Sequence, residues 1–193
     1  DIDIFGASNK GANIVWYEND GSENFTKRTI DGSAQGAYSV YASDIDNDGD
    51  IDVAAAIKDN NNVAWYENDG SGRFTKQVID SNAIAARDVI AVDFDKDGNT
   101  DVLATSLGSN KVAWYQNDGN ENFTEFVIDS TLNAPYGIFT NDVNGDGLLD
   151  VVSASRDDNT IALHLQGDPP PNQAPIANND TATVNTASSV TIN

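Results

Sequence analysis

The sequence predicts an all-β protein assembled from repeated blades of four antiparallel strands. Three observations carry this prediction. A nine-residue acidic loop recurs three times at a spacing of 49 residues, as Asp44–Asp52, Asp93–Asp101 and Asp142–Asp150. Short β-branched and aromatic runs flank every copy, and no 3.6-residue apolar pattern competes with them. A fixed period of this size marks an array of identical supersecondary units.

The elements follow in order within one period. Arg87–Val92 is a strand leading into the second loop, and Val102–Leu107 is a strand leaving it. A polar turn at Gly108-Ser-Asn110 precedes the strand Val112-Ala-Trp-Tyr-Gln116. Asn117-Asp-Gly119 is a hairpin signal, because Asn, Asp and Gly tolerate positive φ. Phe123–Ile128 is the fourth strand. Trp16, Trp65 and Trp114 keep the period, each followed by a tyrosine (Tyr17, Tyr66, Tyr115), and Phe-Thr and Ile-Asp pairs recur behind them.

Counting from the loops gives blade units of about 1–43, 44–92, 93–141 and a partial 142–167, or roughly three and a half blades. Asp1-Ile-Asp3 repeats Asp50-Ile-Asp52, so the chain reads as starting inside a loop, as a fragment or processed product does. The run 168–175, Asp-Pro-Pro-Pro-Asn-Gln-Ala-Pro, reads as a stiff linker. Residues 176–193, rich in Thr, Ala, Val and Asn, read as the start of a second, truncated β-domain.

Composition narrows the function. A net charge of −21 over 193 residues argues against nucleic acid and anionic membranes as partners. The absence of cysteine removes disulfides and thiolate metal sites. No apolar run is long enough to span a bilayer, so membrane insertion is not expected.

Much of the acid is concentrated in the loops. Carboxylates on alternate residues, then a glycine, then a closing aspartate form an oxygen cage for calcium. Side chains at positions one, three, five and nine and the carbonyl at position seven would be the ligands. In the first loop these are Asp44, Asp46, Asp48 and Asp52, with the Asp50 carbonyl. In the second they are Asp93, Asp95, Asp97 and Asp101, with the Asn99 carbonyl. In the third they are Asp142, Asn144, Asp146 and Asp150, with the Leu148 carbonyl. About three calcium sites are therefore expected, the third weakest because Asn144 replaces an acid.

Two other readings of the loops compete with this one. An EF-hand needs an acid at position twelve, where Ala55, Ala104 and Ser153 stand, and strand formers rather than a helix follow. Plain Asp-Gly hairpin turns would not need the ligand alternation three times over.

These motifs resemble the FG-GAP/VCBS repeat family, whose calcium-loop blades also build integrin α-subunit propellers. The resemblance rests on Asp-x-Asp/Asn-x-Asp-Gly-x-x-Asp, then Val-Ala-Trp-Tyr-x-Asn-Asp-Gly and Phe-Thr, across residues 1–167. It implies a β-propeller, structural calcium and an extracellular setting, secreted or on a cell surface. Asn172–Asp180 resembles the opening of cadherin-like or immunoglobulin-like repeats of bacterial surface proteins. Family members serve adhesion and carbohydrate or protein recognition, or act as accessory modules of polysaccharide-active enzymes, so glycan and protein ligands, a binding part of an enzyme and a plain spacer are all carried as readings. With fewer units than the family's closed rings, an open array would leave a blade face and strand edges free for self-association.

Catalysis is not expected. Glu18, Glu67 and Gln116 share one repeat position, and the change to Gln speaks against an essential acid there. The Trp-Tyr pairs could stack on sugars, but Leu163 replaces the Trp in the last unit, which fits packing between blades. His164, the only histidine, takes the corresponding Tyr position and reads as structural.

Overall fold

The computed structural model describes residues 2–167 and 190–192, and among these it contains strands and no helix. The first sheet has three strands, β1 (Ile4–Ser8), β2 (Asn13–Asn19) and β3 (Phe25–Asp31). The second holds β4 (Ala37–Ser43), β5 (Asp52–Ile57), β6 (Asn62–Asn68) and β7 (Phe74–Asp80) in chain order. The third repeats this with β8 (Ala86–Val92), β9 (Asp101–Ser106), β10 (Lys111–Asn117) and β11 (Phe123–Asp129). The fourth contains β12 (Pro135–Asn141), β13 (Asp150–Ser155), β14 (Thr160–His164) and β15 (Val190–Ile192). All pairings are antiparallel meanders, as short strands joined by Asx-rich turns require.

The sheets are phased one strand earlier than units counted from the loops. Each acidic loop joins the first and second strands of a single sheet, so a sheet begins at Ala37, Ala86 or Pro135. Val190–Ile192, within the segment expected to open a second domain, pair with β14 as the outer strand of the fourth sheet. The remainder of that segment and the proline-rich linker lie outside the described residues.

First strands pack against first strands, β4 on β8 and β8 on β12, so the four sheets fan out from a common inner line as propeller-like blades and do not close into a ring. Every residue of β5 and of β9 is buried, because the second strand is covered on both faces by neighbouring sheets. Alanines fill these strands (Ala54-Ala-Ala56, Ala104) and let adjacent sheets approach closely. Three apolar cores occupy the gaps between sheets. Trp65 packs with Val89, Val102 and Ala104 of the next sheet, and Trp114 packs with Leu132, Ile138 and Val151. On the opposite faces, Tyr66 and Tyr115 enter the first and second of these gaps. The recurrent Trp-Tyr pair thus sends one ring into each neighbouring gap, as alternation along a strand dictates. Trp65 and Trp114 are 1% and 5% exposed, which places them in packing rather than on a ligand surface.

Candidate metal centre

The acidic loops are built by short hydrogen bonds from backbone to side chain. In the second, Asp97 N donates to Asp95 Oδ1 (3.2 Å), Asn99 N to Asp97 Oδ1 (2.8 Å) and Gly98 N to Asp93 Oδ2 (3.1 Å). The first loop matches it, with Asp48 N on Asp46, Asp50 N on Asp48 and Gly49 N on Asp44. These successive Asx turns wind the chain so that alternate carboxylates face one side. Positive φ occurs at position six, as expected from the glycines, and also at position four, where Asn47 and Lys96 adopt 63°.

The closing aspartates do more than their predicted share. Asp52, Asp101 and Asp150 are fully buried. Asp101 accepts from Phe94 N (3.1 Å) and Asn117 N (2.7 Å), tying the loop's second residue to the end of the third strand. Asp52 does the same with Ile45 N and Asn68 N, and Asp150 with Val143 N and Gln166 N. Burial pushes Asp52 and Asp101 up to about 6, against the pull of these amides, and neighbouring loop carboxylates push the same way. Asp46 is raised too, first by burial and then by Asp48 and Asp44 beside it.

The structure brings together Asp44, Asp46 and Asp48 in the first loop and Asp93, Asp95 and Asp101 in the second, each triple offering oxygens within 4.8 Å of one another. Asp52 and Asp97 stand outside these triples. The position-seven side chains turn away: a Cβ on Gly70 would lie 2.5 Å from Asp50 Oδ2, and one on Gly119 2.7 Å from Asn99 Oδ1. That leaves only the Asp50 and Asn99 carbonyls for the loop interior.

The first two loops pass a direct test of fit. Asp44 Oδ1 and Asp93 Oδ1 are buried and have no hydrogen-bond partner, while their Oδ2 atoms tether Gly49 and Gly98. A buried, unpartnered carboxylate oxygen is costly unless a cation meets it. The third loop differs. Asp142 uses both oxygens, accepting from Gly145 N (2.7 Å) and Gly147 N (2.9 Å), and Asn144 Nδ2 donates to Asp146 (2.8 Å). Lys96 reaches over from the second loop to the Gly147 carbonyl. The Leu148 amide, Asn144 and Lys96 together hold the Asp146 carboxyl below its ordinary value. Among the described residues, the third loop's carboxylates form no triple like the other two.

A second set of acids was visible in the sequence only as Ile-Asp. Asp31 accepts from Tyr66 Oη (2.7 Å) and Asp80 from Tyr115 Oη (2.7 Å), each bond joining one sheet to the next. Burial pushes Asp31 and Asp80 up, but these hydroxyls, nearby amides and the lysines Lys76 and Lys111 outweigh it and hold both below the usual range. Desolvation, reinforced by the adjacent carboxylates, drives both tyrosines far up, so they stay protonated donors. In the fourth sheet His164 stands in for the tyrosine. Its Nδ1 lies 3.8 Å from Asp129 and its Nε2 lies 3.0 Å from Ser153 Oγ. Ser, His and Asp in this order suggest a nucleophile, yet Ser153 is 1% exposed and replaces the packed Ala55 and Ala104. The trio pins sheets together.

Comparison with known proteins agrees with this architecture. A family model for the FG-GAP-like repeat matches residues 1–55, 44–104 and 93–153. No curated protein matches the chain. Among solved structures, a lectin from Agrocybe aegerita, described for specific recognition of non-reducing terminal N-acetylglucosamine, superposes with a TM-score of 0.54 at 16% identity. That likeness covers 85% of this chain and 49% of the lectin, so the chain spans about half of that protein's length. With three overlapping matches that run through all three acidic loops, the chain belongs to the FG-GAP-like repeat family.

Proposed function

We propose that the chain is a non-catalytic recognition module of an extracellular protein, stabilised by calcium in its acidic loops. The observation that carries the reading is the pair of carboxylate triples, each with a buried oxygen left unpartnered. Side chains of Asp44, Asp46, Asp48 and Asp52 and the Asp50 carbonyl would hold an ion in the first loop. Asp93, Asp95, Asp97 and Asp101 with the Asn99 carbonyl would hold one in the second, and the third loop would bind weakest. Bound calcium supplies positive charge where clustered carboxylates otherwise repel, and this favours the wound loop over an open one. Magnesium fits less well, since it gives up its waters reluctantly. Glycan recognition is the favoured purpose, and the lectin of like fold supports it.

The test is thermal unfolding with calcium and with excess EDTA. Two ions at 100-fold above Kd contribute about 2.7 kcal/mol each. At about 2–4 °C per kcal/mol for a chain of this size, chelation lowers Tm by ~10–20 °C. Calcium restores the loss and magnesium at equal concentration does not. A melt unmoved by EDTA removes the proposal.

A further inference from the structure

The three inner strands share a register irregularity that the loops do not explain. Pairing skips one residue in each, between Ala37 and Ser39, Ala86 and Asp88, and Pro135 and Gly137. The skipped residues are Tyr38, Arg87 and Tyr136, again 49 apart. A bulge re-aims the side chain it carries, and these three side chains meet. The Arg87 guanidinium carbon lies 4.0 Å from the Tyr38 ring centre and 4.8 Å from that of Tyr136. The two rings stand edge to face at 6.1 Å, with their hydroxyls 3.2 Å apart.

Together with Ala154, Ser155 and Arg156 they line a shallow cavity of about 490 Å³ that is open to solvent. Arg87 is 8% exposed, and among the described residues no carboxylate forms an ion pair with it, in a chain carrying 31 acids. Its Nε has no hydrogen-bond partner, and Nη1 makes only a long contact to Tyr136 Oη (3.5 Å). Ser155, which also lines the cavity, is 6% exposed, and its enclosed Oγ is likewise unpartnered. A desolvated guanidinium keeps unused donors only at a cost that stacking on aromatic faces offsets in part. Arg156 at the rim is already neutralised by Asp157.

We infer that this cavity is a ligand site for a sugar bearing a carboxylate, a uronate. Arg87 takes the carboxylate through its planar fork of donors, Ser155 donates beside it, and the tyrosine rings and hydroxyls flank the sugar. The single uncompensated positive charge matches a monoanion. A phosphate dianion would bring surplus negative charge into a protein already at −21. Every lining residue except Ala154 carries a polar group, which suits a hydroxyl-rich ligand better than an apolar one. This assignment rests on the recognition reading above and gives it a place and a substrate class.

The experiment is an NMR titration of the calcium-loaded protein with D-glucuronate, D-glucose and inorganic phosphate in parallel. Glucuronate is expected to shift the Arg87 Nε–H and the Tyr38 and Tyr136 ring signals saturably, at least about tenfold more tightly than glucose or phosphate. Arg87→Gln should weaken glucuronate binding about tenfold or more. Ser155→Ala, a smaller change on the same wall, should weaken it without altering the calcium-loaded melt, and it carries the test if Arg87→Gln does not fold. Equal response to glucose, tighter binding of phosphate, or no saturable shift at these signals overturns the assignment. Any of these leaves the EDTA melt, and with it the calcium reading, untouched.

Discussion

At the scale of single residues, one repeat position decides how sheets are joined. Tyr66 and Tyr115 donate to Asp31 and Asp80, and His164 faces Asp129 in the fourth sheet. Burial holds the His164 imidazole below its usual 6.5, although Asp129 pulls the other way. The sign follows from linkage. An unfolded chain takes a proton below about pH 6.5 while the folded one does not, so this stability is present above that pH and is lost as pH falls through the lowered folded value. The double change His164→Tyr with Ser153→Ala recreates the pair of the second and third sheets. Relative to the natural sequence it should gain stability progressively as pH falls below about 6.5, by at most ~1.4 kcal/mol per pH unit, until the lowered folded value is passed. Urea unfolding in saturating calcium measures this, and a pH-independent difference would mean the imidazole titrates normally. The sequence identified His164 as the tyrosine's substitute, but the Ile-Asp partners were not recognised. Their signal was the shared 49-residue spacing with Tyr, which only a neighbouring sheet turns into a contact.

At the scale of elements, strands and loops were legible because each is specified locally. Apolar alternation, Asx turns and glycines at left-handed positions fix them within about ten residues. The phase of the sheets was not legible, since a period shows that units repeat and not where one ends. The bulges were equally hidden: Tyr38, Arg87 and Tyr136 look like ordinary strand residues until pairing partners are known. Glycine positions show how local specification works. Gly98 and Gly119 both have positive φ (93° and 75°), but a Cβ on Gly98 meets nothing within 4 Å while one on Gly119 presses on Asn99. Gly98→Ala should therefore cost only backbone strain, about 1–2 kcal/mol. Gly119→Ala should cost more and should weaken calcium at the second loop alone, because Asn99 carries that loop's carbonyl. Thermal melts and calcium titration of the two variants, side by side, check the order.

At the scale of the whole molecule, charge repulsion is the unfavourable contribution that salt and calcium can tune. With −21 on a chain whose acids crowd the loops, self-repulsion opposes the compact state. Sodium chloride should raise the Tm of the metal-free protein as the Debye length shrinks from about 30 Å at 0.01 M to about 10 Å at 0.1 M. In calcium the same salt series should be much flatter, since each bound ion offsets two charges where they are densest. A salt response of equal slope in both would locate the repulsion outside the loops.

The pins between sheets also bear on how such a protein changes length. Each hydroxyl–carboxylate bond spans 35 residues, less than one 49-residue repeat, so it joins a unit only to its immediate predecessor. Duplicating or deleting one whole repeat carries both halves of the bond along and leaves every remaining junction with its mate. A deletion that removes one unit's tyrosine but keeps the preceding acid strands a half-buried carboxylate without its donor, which makes the full period the natural quantum of growth for this architecture.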